Sequence, residues 1–227
     1  MLRAIRRFCP AVLCLIFAAG AAAHDIPSSV LVNTHIKPSG SELHFLVRVP
    51  LDAMRDIVIP IRGPGYLDLD NIGEVARDAA TVWILNEVSI EENSVPLDNG
   101  VIVATRVSLP SDRSFQDFDA ALAHIRGEPL PAGTELVREQ AVLDVYIRYA
   151  IASDSSEFAI HPNFRRLGQE TTTVIRFHPP GKGVRVLEFR DDPGTVRLDP
   201  RWHQAFFRFV SLGFMHILDG VDPVSYT

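Results

Sequence analysis

The residues best suited to chemistry are a histidine and an aspartate near the end of the chain. His216 and Asp222 lie in the segment LGFMHILDGVD, where apolar residues surround the histidine. Imidazole and carboxylate groups both bind divalent transition metals, and polar groups in an apolar helix are costly unless they have a partner or a function. The pair is therefore a candidate metal contact.

The spacing of this pair constrains how it could bind an ion. Six positions correspond to about 600° of rotation in a regular helix, which places the two side chains on opposite sides. A shared site requires the helix to break, and Gly220 is well placed for a break. The alternative is an amphipathic helix end in which His216 and Asp222 cap the helix or face water.

Three further histidines are metal-ligand candidates. His24 would become the first residue after removal of an export signal, and its amine and imidazole could together chelate copper. His35 and His44 lie on two strands of a predicted hairpin, and directly opposed residues have Cβ atoms about 4.5–5.5 Å apart, close enough to share a metal. The alternative for this second pair is two solvated surface histidines.

The start of the chain is typical of an export signal. Arg3, Arg6 and Arg7 precede a mainly apolar stretch, and Ala21-Ala22-Ala23 provides a small-residue cleavage site. We therefore expect residues 1–23 to be a signal peptide, residues 24–199 an exported domain, and residues 200–227 the truncated start of a membrane domain. The expected location is the periplasmic face of the inner membrane.

Composition excludes several classes of function. Removal of the signal peptide removes three arginines and lowers the formal charge from −6 to −9, and no basic stripe remains for nucleic acid. Both cysteines, Cys9 and Cys14, lie in the signal, which excludes thiolate metal sites and cysteine nucleophiles in the exported part. About 175 residues can bury a sufficient apolar core without disulfides.

Alternating apolar residues predict a domain that is mainly β. Residues 30–36 and 43–49 alternate around the turn 37–41, which predicts a hairpin with Ile36 opposite Leu43 and His35 opposite His44. Residues 81–90 and 101–109 are predicted as partner strands around the turn at Asn99-Gly100.

The second half of the domain continues this pattern after one helix. Residues 115–125 carry apolar residues at helical spacing between the candidate cap Ser114 and the stop at Gly127. A long strand at 135–151 and a hairpin of 171–177 with 184–189 follow. The expected fold is an antiparallel β-sandwich with one short helical insert, followed by a C-terminal apolar helix.

Several segments resemble the HupE/UreJ family of bacterial membrane proteins. LGFMHILDGVD is similar to the start of that family's membrane domain, whose first helix carries a histidine, five residues and then Asp-His. His216 and Asp222 match the first two of these residues, and Pro223 replaces the second histidine. The fragments RVPLDAMRDI, RGPGYLDL and DAATVWI resemble the extracytoplasmic domain of a HupE/UreJ-like branch.

The resemblance implies a protein associated with nickel or cobalt uptake. It implies that His216 and Asp222 contact the transported ion and that the protein has no tightly bound cofactor. We expect that the protein is not an enzyme, since no nucleophile, base and orienting residue occur together in the sequence, and an enzyme is the weakest of the alternatives. Its partners would be the membrane, a transition-metal ion and a membrane-domain partner chain, because a truncated chain would not be competent for transport alone. The alternative is a membrane-tethered, non-catalytic module that binds other proteins through an exposed sheet edge.

Overall fold

The computed structural model describes residues 28–199, and most of its regular structure is β. The candidates His24, His216 and Asp222, the predicted signal peptide and the predicted C-terminal apolar helix lie outside the described residues. Twelve strands are present in residues 28–199: β1 Ser29–Ser39, β2 Glu42–Pro50, β3 Ile61–Arg62, β4 Tyr66–Leu67, β5 Val88–Glu92, β6 Val95–Pro96, β7 Val101–Ser108, β8 Val142–Ala150, β9 Phe158–Pro162, β10 Glu170–Phe177, β11 Arg185–Arg190 and β12 Val196–Arg197.

Three sheets are formed by these strands. The largest has six strands in the order β11-β10-β1-β2-β8-β7, a second has the order β12-β9-β5-β6, and β3 pairs with β4. β1 and β10 run parallel, whereas the other pairings are antiparallel. The prediction of a mainly β domain is confirmed, but the largest sheet is mixed and not purely antiparallel.

Two α-helices are present in the described part of the chain, one more than predicted. α1 spans Gly73–Trp83 and α2 spans Phe118–Arg126. The prediction of a strand over residues 81–90 is wrong at its start, since Thr81–Trp83 belong to α1 and only Val88–Glu92 form a strand. Four buried residues of α1 recur at helical spacing: Ala76, Ala79, Ala80 and Trp83. The packing of this buried face outweighs the strand propensity of the β-branched residues in the same segment.

The helix that was predicted from sequence is confirmed, with a later start. A 3₁₀ turn covers Ser114–Gln116, and the Asp117 side chain caps α2 by accepting a hydrogen bond from the Ala120 N–H. Gly127 ends the helix as expected. The remaining 3₁₀ turns of the described residues are Leu51–Ala53, Leu85–Glu87, Arg138–Gln140 and Arg165–Leu167.

The first hairpin forms, but its register differs from the prediction by two residues. A two-residue connection, Gly40-Ser41, joins the strands, with Gly40 at φ 60°. Ile36 therefore lies opposite Phe45 instead of Leu43. The second predicted hairpin, β10 with β11, is confirmed as an antiparallel pair, whereas β7 pairs with β8 and not with β5.

The six-stranded sheet buries side chains on both faces. One face shares a large apolar cluster with α1 and with residues of the four-stranded sheet such as Ile90 and Ile160. The other face carries a smaller apolar cluster. The sheet contributes Leu46 and Tyr146 to it, and the segment that packs on this face contributes Phe115, Phe118 and Ile125. We call residues 109–127, which include α2, the cover; the candidate site lies beneath it. Within residues 28–199, neither helix has the length and hydropathy needed to cross a bilayer.

Candidate functional site

Two histidines that are far apart in sequence meet at the edge of the cover. His35 is fully buried on β1, and His178 directly follows β10, the parallel neighbour of β1. The backbone N–H of His178 donates to the Ile36 carbonyl at 2.8 Å, which fixes its position beside β1. His35 Nδ1 and His178 Nε2 are 2.9 Å apart, and we call these two residues the histidine pair.

The protonation pattern of the histidine pair follows from a third contact. His35 Nε2 lies 3.0 Å from the Phe115 carbonyl oxygen, which can only accept a hydrogen bond. The ring proton of neutral His35 is therefore on Nε2, and Nδ1 presents its lone pair to His178 Nε2. Histidines that bind metals are commonly oriented in this way, with the second ring nitrogen donating to a carbonyl or carboxylate.

Burial keeps the histidine pair uncharged near neutral pH. It lowers the pKa of His35 to about 4, against a smaller opposing effect of the Phe115 carbonyl. Burial and the nearby positive charge of Lys37 also lower the pKa of His178. Protons therefore compete weakly for the lone pairs at pH 7, which a metal ligand requires.

Aromatic and charged groups surround the histidine pair. The rings of Phe115 and Phe118 meet the His35 ring edge-on, at centroid distances of 5.8 and 6.1 Å. Lys37 Nζ lies 4.4 Å from the centre of the Phe118 ring and 3.2 Å from Asp119 Oδ1. Phe118 therefore shields one side of the pair.

His44 is not directly opposite His35, and this prediction is wrong. His35 pairs with Leu46 and His44 pairs with Lys37, so the two histidines lie diagonally on one sheet face. His44 Nδ1 is hydrogen-bonded to the Tyr146 hydroxyl at 2.7 Å. The shifted register thus separates the predicted pair, and the described residues contain no group of three or more metal-ligating side chains.

A second polar cluster lies on the same face of the sheet, and we call it the ion network. The Arg48 guanidinium binds both carboxylate oxygens of Asp144, at 2.6 and 2.7 Å, and Asp144 is fully buried. Arg48 also donates to the backbone carbonyl and the Oδ1 atom of Asp112, each at 2.8 Å. These bonds tie β2 and β8 to the start of the cover.

Ser108 and His124 complete the ion network. The Ser108 hydroxyl donates to Asp144 Oδ2 at 2.7 Å and lies 2.8 Å from His124 Nε2. His124 Nδ1 is 3.5 Å from Asp112 Oδ2. Serine, histidine and aspartate side chains thus lie together, as they do in the active sites of enzymes with a serine nucleophile. Ser108 is only 1% exposed, however, and its hydroxyl proton points to Asp144. A substrate could therefore not reach the hydroxyl.

Sequence reasoning identified His35 but missed His178 as its partner. The hydrogen-bonded side chains are 143 positions apart, and only the parallel pairing of β1 with β10 brings them together. His178 directly follows the predicted strand 171–177, but the sequence carries no signal for which strand lies beside that strand.

No family model matches this chain, and no curated protein matches it.

Proposed function

We propose that residues 24–199 are the extracytoplasmic domain of a HupE/UreJ-like membrane protein associated with nickel or cobalt uptake. In this proposal residues 1–23 direct export, the domain lies at the periplasmic face of the inner membrane, and residues 200–227 begin the membrane part. His216 and Asp222 would contact the ion there, and His24 remains a candidate ligand. We also infer that the two larger sheets form a β-sandwich, because residues of both share one buried cluster.

The proposed role of the domain is transient, non-catalytic capture of a metal ion at the histidine pair. The observation that supports it is the His35 Nδ1 lone pair, which faces His178 Nε2 at 2.9 Å. Metal–imidazole bonds of about 2.0–2.1 Å put two ligands at 90° about 3 Å apart, and at the tetrahedral angle about 3.4 Å apart. The two nitrogens are therefore close enough to reach one ion after a small movement, and imidazole is a suitable ligand for nickel and cobalt.

Insertion of the ion requires a small rearrangement of His178. Its Nε2 proton must be replaced by a proton on Nδ1, so that the ring stays neutral, and the ring must turn so that the Nε2 lone pair meets the ion. His178 is only partly buried and follows the end of β10, which allows such a rotation. Two protein ligands, with solvent filling the other positions, would give weak and reversible binding suited to transfer.

Metal titration of the protein, purified without a polyhistidine tag, tests this role. Nickel and cobalt should raise the unfolding temperature in proportion to binding, because a ligand of the native state stabilises it by mass action. His178→Ala should abolish the shift. The matched control is His161→Ala, which removes a histidine whose Nε2 lies 2.7 Å from Asp192 on another sheet. Equal shifts in both variants would contradict the proposal.

The second candidate is a non-catalytic module that binds another protein by strand addition. β11 is an edge of the six-stranded sheet, and Val184 and Val186 at this edge are 53% and 63% exposed. Unpaired backbone groups on an edge strand can bind an extended peptide. Absence of any metal-dependent shift, together with retained binding to the membrane-domain chain, would favour this candidate.

A further inference from the structure

A cleft at the C-terminal end of α2 has features of a small-molecule site. Its volume is about 340 Å³, and it opens between the start of α1, the middle of β7 and the end of α2. That volume is at the lower end of the range for ligand pockets, which are about 300–1,000 Å³. The cleft therefore suits a small ligand.

The walls of the cleft are mostly apolar. Val107 and Ile125 contribute from β7 and α2, and Ile72 and Ala76 contribute from the start of α1. Leu69 and Leu130 complete the apolar surface. A ligand that fills the cleft would therefore need an apolar body.

Arg106 is the one basic residue that lines the cleft. Its Nη1 donates to the His124 carbonyl oxygen at 2.7 Å, and its guanidinium forms no ion pair within residues 28–199. A guanidinium binds a carboxylate through charge-assisted hydrogen bonds. An anionic group in the cleft would give Arg106 a charged partner that the described residues do not provide.

The first turn of α1 adds a second attraction for negative charge. Gly73 begins the helix in the wall of the cleft, and the preceding Ile72 provides no side-chain cap. The first N–H groups of a helix have no partner within the helix and carry partial positive charge. Asp70 at the exposed rim and Glu74 in the same helical turn oppose this attraction, so a ligand with a single negative charge is favoured over one with two.

We propose that this cleft binds a small organic monocarboxylate with an apolar body. The carboxylate lies between Arg106 and the first turn of α1, and the apolar body lies against Ile72, Val107 and Ile125. The proposal is independent of metal binding by the histidine pair.

Titration with hexanoate, followed by amide NMR, tests the proposal. Saturable shifts are expected at Gly73 and Gly127, and hexanamide, of nearly equal size but uncharged, should bind at least tenfold more weakly. Arg106→Gln should weaken hexanoate binding by about tenfold or more, because it removes a charged hydrogen bond. The matched control, Arg113→Gln, removes an exposed arginine on the cover and should leave binding unchanged.

A second variant tests the location if Arg106→Gln does not fold. A Cβ atom at Gly73 would have no atom within 4 Å, so Gly73→Leu places a side chain in open space at the cleft without removing Arg106. Loss of hexanoate binding in Gly73→Leu supports the site. Equal binding of hexanoate and hexanamide, or unchanged hexanoate binding in Gly73→Leu, would overturn it.

Discussion

The histidine pair and the ion network lie on the same face of one sheet, yet they use their polar groups differently. The ion network contains full charges, and Arg48 is bound by Asp144 through two bonds and by Asp112 through two more. The histidine pair contains neutral rings joined by one contact of 2.9 Å. In the ion network several protein partners bind each charged group, whereas in the histidine pair one hydrogen bond joins the two rings and a second joins His35 to the Phe115 carbonyl.

This difference is consistent with a structural role for the ion network and with the proposed binding role for the histidine pair. A buried ion pair that loses one partner leaves an uncompensated charge, so the ion network is suited to hold the cover on the sheet. A neutral imidazole pair can bind a metal ion once the shared proton is replaced by a proton on His178 Nδ1. The cover links the two clusters, because the Arg48 bonds hold Asp112 and the nearby Phe115 carbonyl orients His35.

The largest expected effect comes from breaking the ion network. Asp144→Ala should lower the free energy of unfolding by about 3–5 kcal/mol, because it leaves Arg48 buried without its bidentate partner. Chemical denaturation measures this change.

The control is Asp119→Ala, which removes a carboxylate that is 79% exposed and paired with Lys37. Its expected cost is less than about 1 kcal/mol. Similar costs for the two variants would show that the ion network does not stabilise the fold.

The contributions of the two clusters to the stability of the fold should also be lost in different pH ranges. Burial lowers the pKa of His35 from 6.5 to about 4, so its contribution is fully present above pH 6.5 and is lost as the pH falls toward 4. Burial acts to raise the pKa of Asp112, but hydrogen bonds from Ser114 and Arg48 outweigh it and lower the pKa from 3.8 to about 2. The Asp112 contribution is therefore lost only below about pH 4.

The variant His35→Gln tests whether the stability lost between pH 6.5 and 4 is due to His35. Glutamine does not titrate and can still donate to the Phe115 carbonyl. Between pH 7.5 and 4.5 the wild type should lose about 2 kcal/mol more stability than the variant. Urea denaturation at the two pH values measures this difference, and an equal loss in both proteins would show that His35 is not held neutral by burial.

A smaller effect is expected from the charge beside the histidine pair. Burial and then Lys37 lower the pKa of His178. Lys37→Met should raise this pKa in a histidine NMR titration and tighten cobalt binding by less than about tenfold, since a partly solvated charge contributes on the order of 1 kcal/mol. An unchanged pKa of His178 would show that the charge of Lys37 does not act on the histidine pair.

The sequence predicted local structure better than contacts between distant segments. The hairpin at Gly40 and the helix ended by Gly127 depend on neighbouring residues, and both were found. The register of the hairpin was missed because the strands extend to Ser39 and Glu42, leaving a two-residue turn. α1 was missed because its buried stripe is mostly alanine, which gives a weak hydrophobic signal.

The candidate site was predicted only in part for the same reason. His35 was singled out, but its partner depends on the parallel pairing of β1 with β10, which no local pattern specifies. The tautomer of His35 depends on a carbonyl 80 positions away. Such long-range arrangements require the folded chain, and the spacing of histidines does not contain them.

The most direct test of metal capture is proton NMR of the protein with cobalt. The unpaired electrons of bound cobalt shift the ring N–H protons of its histidine ligands far from their normal range. We predict one shifted, slowly exchanging N–H from buried His35, whose Nε2 donates to Phe115, and its loss in His178→Ala. A shifted His35 signal that persists in His178→Ala, or shifted signals that arise only from the more exposed His161, would contradict the account.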